Sequence, residues 1–80
     1  MTLFVLTHHH APDECGAAMA AWKGFPSALR DRPALASCVS GDHRTWWQAE
    51  APDAESALAQ LPPFVAARTE AQAAREVTVP

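Results

Sequence analysis

Basic residues are scarce in this chain of 80 residues. Six lysines and arginines stand against nine aspartates and glutamates, a formal net charge of −3. They form no basic stripe, which excludes the usual electrostatic footprint of a nucleic-acid binder. Long apolar runs are also missing. None approaches the roughly 20 residues that cross a bilayer. The run Leu3–Leu6 is too short for the apolar region of a secretion signal and lacks its basic flank. The expected setting is the cytoplasm, and the Ala/Pro/Arg-rich usage points to a bacterial source. Cysteine is almost absent. Cys15 and Cys38 alone do not make a disulfide framework. In a reducing compartment they are free thiols or ligands. No CxxC, HxxxH or HExxH occurs, and there is no serine elbow, phosphate loop or dinucleotide fingerprint.

What remains is a folded, soluble composition, with 49% of residues apolar. The length fits a single domain, residues 1–80, with a core small enough that oligomerisation is a common remedy. One stretch stands out, THHHAPDEC from Thr7 to Cys15. It holds three of the four histidines and one of the two cysteines. Three histidines inside a continuous strand-to-helix pattern are not a purification tag.

Thr2–Thr7 is β-branched and apolar without a breaker and reads as a strand that can continue through His8. Leu3, Val5 and Thr7 share one face, and Phe4, Leu6 and His8 the other. Pro12 suits a first helical turn, and Asp13 and Glu14 suit the positive end of a helix dipole. The spacing predicts a helix over Pro12–Lys23, stopped by Gly24, with Cys15, Met19 and Trp22 as its buried stripe. A second strand is expected over Leu35–Ser40, a turn at Gly41-Asp42, and a third strand over His43–Ala49. Trp46 and Trp47 then point to opposite faces. Asp53–Leu61 reads as a short helix ended by Pro62-Pro63, with a further turn over Phe64–Arg68. The tail from about Ala71 to Val79 alternates as a last strand.

The order β-α-β-β-α-β is the ferredoxin-like split unit, an α+β fold with a four-stranded antiparallel sheet and two helices on one face. The sheet order is then 4-1-3-2. This topology gathers the end of the first strand, the start of the first helix and the hairpin at one end of the sheet. His8, His9, His10, His43, Cys15 and Cys38 are therefore expected together. The helices leave one sheet face uncovered, with an apolar content that predicts a partner.

Length, element order and short tail strand resemble the dimeric α/β-barrel superfamily, which includes muconolactone isomerase-like, YCII-like and antibiotic-monooxygenase-like proteins. The resemblance spans nearly the whole chain at the level of pattern. It implies a homodimer formed sheet to sheet. Enzymes of that group often place a histidine at a strand end, facing a pocket between sheet and helices, a role that His8 or His10 matches. Some small members bind transition metals through histidines at the dimer interface.

Three readings stay open. In the first, His8, His10 and His43, joined by Cys15 or Cys38, bind a transition metal such as Ni, Zn, Cu or Fe, whose preferences suit imidazole and thiolate. Asp42 is then a further oxygen donor or an orienting acceptor. In the second, His8 or His10 is the acid/base of a cofactor-independent isomerase, cyclase or monooxygenase-type enzyme. Trp22, Trp46, Trp47 and Phe64 would line the pocket for a small, flat metabolite, aromatic or not. Arg30, Arg32 and Arg44 either stand solvated, the ordinary reading, or meet an anionic ligand. In the third, the chain is a non-catalytic subunit whose open face is a protein contact. Beside all three stands a plain reading, in which the histidines are turn residues, the cysteines are small buried hydrophobes and the tryptophans are packing.

Overall fold

The computed structural model describes residues 1–80. Strand β1 spans Thr2–His9, β2 Leu35–Ala36, β3 Arg44–Ala51 and β4 Thr69–Ala74. Helix α1 spans Cys15–Ala20 after a 3₁₀ turn at Pro12–Glu14. Helices α2, Ala54–Leu58, and α3, Pro63–Ala66, fill the second helical connection. The result is an α+β fold with an open, four-stranded sheet in the order β2-β3-β1-β4. All neighbours are antiparallel, so β1 and β2 run parallel with β3 between them. Element order and sheet order are compatible with a ferredoxin-like domain.

β1 is the central strand and is tied on both sides. Its register places Leu6 opposite Trp47 and Ala71, and His8 opposite Thr45 and Thr69. Directly opposed residues share a sheet face. Phe4, Leu6 and His8 therefore face the helices together with Trp47, Ala49 and Ala51. On this side Phe4, Leu6, Ala49 and Ala51 join Leu29, Ala57, Leu61 and Val65 in the core. Leu6 is fully buried. Truncating such a leucine to alanine costs about 2–5 kcal/mol, a large share of a small domain's stability. Leu3, Val5 and Thr7 lie on the other face, with Trp46.

Local chemistry sets the element ends. The Asp53 carboxylate accepts from the Ser56 N–H at 2.7 Å and caps α2. Gly24 and Gly41 take the left-handed conformation at φ 75° and 85°, which suits glycine, and close the turns they were expected to close.

Several expected elements are displaced. The second strand keeps only Leu35–Ala36, because Cys38–Ser40 coils into a 3₁₀ turn. Ser37 drives this. Its hydroxyl bonds the Asp42 carbonyl, and its own carbonyl accepts from the Ser40 hydroxyl at 2.8 Å. These bonds compete with extension. Cys38 is thus an exposed turn residue, not a strand residue. The first helix stops at Ala20 rather than Lys23. Its buried residue is Ala18, whereas Met19 is exposed. The last strand starts two residues early, at Thr69, and ends at Ala74. Ala74 lies opposite Leu3 near the start of β1, so residues beyond it have no ladder to join. Val77 and Val79 are exposed accordingly.

Candidate metal centre

The end of β1 carries the histidines in alternation. His8 is buried, His9 is exposed, and His10 leaves the strand half-buried. The ladder runs one step past β1, because the His10 N–H donates to the His43 carbonyl at 3.1 Å. That bond sets the two rings side by side, with centroids 5.3 Å apart. Cys15 opens α1 on the same side. The preceding turn holds it there. Glu14 accepts from the Ala11 N–H at 3.0 Å and from the Arg68 guanidinium at 2.9 and 3.1 Å. The Ala11 bond first, then Arg68, holds the Glu14 carboxyl below its ordinary pKa.

His10, Cys15 and His43 thereby bring one donor atom each within 4.8 Å of the others, a group that could hold a metal ion. A tetrahedral ion with bonds of ~2.0–2.3 Å holds its donors about 3.3–3.8 Å apart, so small side-chain rotations close the group. Two atoms are informative. His10 Nε2 and His43 Nδ1 are buried and have no hydrogen-bond partner. Buried polar atoms without partners are rare and costly.

The network around His8 assigns the tautomers. The Thr69 hydroxyl gives its one proton to the Val65 carbonyl at 2.6 Å. His8 Nδ1 lies 3.1 Å from that hydroxyl oxygen and 3.3 Å from the same carbonyl. Both atoms accept, so Nδ1 carries the proton. Burial, outweighing the Val65 bond that favours the charged form, lowers the His8 pKa from 6.5 and keeps the ring neutral at pH 7. Its Nε2 is then an acceptor, 2.7 Å from His10 Nδ1. His10 must donate from Nδ1. In the neutral ring the unpartnered Nε2 then carries the lone pair with which imidazole ligates a metal.

The remaining candidates fall elsewhere. His8 stands behind His10 and is not one of the three grouped donors. His9 turns outward to Asp42 at 3.5 Å, and Asp42 also pairs with Arg44 at 2.8 Å. Asp42 is thus engaged at the surface. Cys38 stays outside the donor group. Trp22 and Trp47 pack with centroids 5.8 Å apart and border a cavity of about 350 Å³ between sheet and helical layer, which His8 and His10 also border. Trp46 and Phe64 do not border it. Trp46 faces the uncovered side, beside a second hollow with Leu35. Phe64 lies under the Arg68 guanidinium, 3.7 Å from its ring centre.

Thr69, the Val65 carbonyl and the Glu14–Arg68 pair escape a reading of the sequence. Pro12 and the acidic pair after it mark the helix start, but nothing local links Glu14 to Arg68, 54 residues away. No protein-family model, no curated protein and no solved structure matches the chain.

Proposed function

We propose that the protein binds a transition metal ion through His10 Nε2, Cys15 Sγ and His43 Nδ1, with His8 as the residue that orients His10. The observation that carries this reading is the pair of buried, unpartnered imidazole nitrogens beside a thiol. Coordination would satisfy both nitrogens and would take the thiol as thiolate. Two imidazoles and one thiolate suit Zn, Cu, Ni or Fe. His8 would take the place that a carboxylate, a backbone carbonyl or water usually fills, accepting the other ring N–H of a ligating histidine.

Elemental analysis of untagged protein purified without chelator, beside its native mass, tests the reading. Near-stoichiometric metal per chain is expected. His10→Ala, Cys15→Ser and His43→Ala each abolish its retention, while His9→Ala and Cys38→Ser keep it. Protein that stays metal-free after incubation with each of the four ions overturns it.

One observation favours an acid/base enzyme instead. The free His10 nitrogen belongs to a ring that borders the apolar cavity. In that reading a metal-free protein is the working form, and His10 moves a proton on a small, aromatic metabolite. The uncovered sheet face supports the homodimer. Leu3, Val5 and Trp46 stand there without a helix, next to an exposed Leu35. A second copy laid on this face would complete a dimeric α/β barrel. A different protein seated there would make the chain a non-catalytic subunit.

A further inference from the structure

Three donors leave a four-coordinate ion one position that the chain does not fill, the pattern of reactive rather than closed sites. The only grouped donor that also borders the 350 Å³ cavity is His10. The cavity is the more apolar of the two hollows beside the sheet. Its walls are Trp22 and Trp47, with Leu29 and Val65. Trp22 is held edge-on by Phe25, with centroids 6.4 Å apart, so this wall is braced from behind. The volume lies at the lower end of the range for small-molecule pockets, about 300–1,000 Å³. It suits a single ring and is too small for a dinucleotide.

The rim adds a sign. Arg30 and Arg32 border the cavity, and neither is in a salt bridge. Asp31 between them takes φ 60°, a left-handed kink uncommon for a side-chain-bearing residue. The rim thus carries two cations against one anion.

We infer that the open metal position and this cavity form one ligand site, which takes a small aromatic acid. Its ring lies against Trp22 and Trp47. One of its oxygens occupies the open position on the ion beside His10, and Arg30 and Arg32 attract its charge. The inference rests on the proposed metal centre and adds the class of molecule that the centre meets.

The test uses full-length protein loaded with Co(II), whose visible spectrum reports its ligands. Salicylate is the probe. Titration should change the cobalt spectrum and the tryptophan fluorescence along one curve. Acetate, which lacks the ring, should act at least about tenfold more weakly. Ala34 is an exposed loop residue on the border of the cavity, so Ala34→Trp adds bulk at its mouth. It should leave cobalt stoichiometry unchanged and weaken salicylate by about tenfold or more, roughly 1.4 kcal/mol.

A stoichiometric cobalt protein whose spectrum ignores salicylate overturns the inference and leaves the metal centre standing. So does an acetate response equal to that of salicylate, or an Ala34→Trp protein that binds salicylate normally. Protein that takes up no cobalt overturns the metal reading and this inference with it. Salicylate that then quenches tryptophan in the metal-free protein, but not in Ala34→Trp, would point to the acid/base reading.

Discussion

His8 Nε2 lies 2.7 Å from His10 Nδ1, and the proton between them belongs to His10. The assignment follows from Thr69 and Val65, which leave His8 Nδ1 no role but donor. His8 is a positioning residue. Its bond to Nδ1 leaves Nε2 as the nitrogen that His10 has free for the group with Cys15 and His43.

His8→Ala should therefore weaken metal binding without abolishing it, by about 10–100-fold. His10→Ala should leave no measurable site. Competition with a chromophoric chelator reads both. His8→Gln separates orientation from packing, because its amide oxygen can accept from His10 Nδ1–H. Partial recovery of affinity in His8→Gln, at equal thermal stability of the two His8 variants, supports the positioning role. Equal loss in both variants would assign the effect to the core alone.

The two cysteines should differ in reactivity once metal is bound. Cys38 is exposed in its turn, whereas Cys15 sits half-buried among the donors. Alkylation of metal-loaded protein is expected to modify Cys38 alone, with Cys15 following only after a chelator is added. Peptide mass mapping gives the answer. Rapid labelling of Cys15 in the loaded protein would remove it from the ligand set.

How far this arrangement was legible depends on the range of the interactions involved. β1, the helix start at Pro12, the hairpin and the sheet order follow from local patterns, and they bring the histidines and Cys15 to one end. Period-two alternation puts His8 and His10 on one face, but it cannot say which ring lies behind the other. That is decided by Val65 and Thr69, 57 and 61 residues from His8. The strand placement of Cys38 fails for a different reason. The serines at 37 and 40 look compatible with a strand, yet their hydroxyls bond nearby backbone carbonyls and coil the segment. The last strand's register was likewise hidden, because alternation in its tail continues beyond the residues that β1 can pair.

Asp53 offers a pH test remote from the site. The Ser56 N–H holds its carboxyl below the ordinary value of 3.8. The folded state therefore binds this proton less readily than the unfolded one. The cap's contribution is fully present above about pH 3.8 and is lost as pH falls through the lower folded value. Asp53→Ala should lower the melting temperature by a nearly constant amount near neutral pH. The gap to the parent should shrink in strong acid. Melting followed by circular dichroism across this range checks it. A gap that persists unchanged in strong acid would show that the ionised cap is not its source.

The proposed homodimer makes a separate prediction, because its surface and the donor group occupy different sides of the sheet. His8 faces the helices, while Val5 and Trp46 face away from them. Native mass spectrometry should give twice the 8.6 kDa chain mass. Val5→Glu, diagonal to Glu50 and Glu70, and Trp46→Lys, two residues along β3 from Arg44, each place a charge beside its own sign on the uncovered face, where sheet-to-sheet burial would leave it unpaired at a cost of several kcal/mol. Both variants should run as folded monomers. If metal stoichiometry per chain survives in these monomers, the centre is built within one chain. If it is lost with the dimer, a second copy completes it. A parent protein that is monomeric at the concentrations used for metal analysis would sink the dimeric barrel and leave the three-donor site to stand on its own.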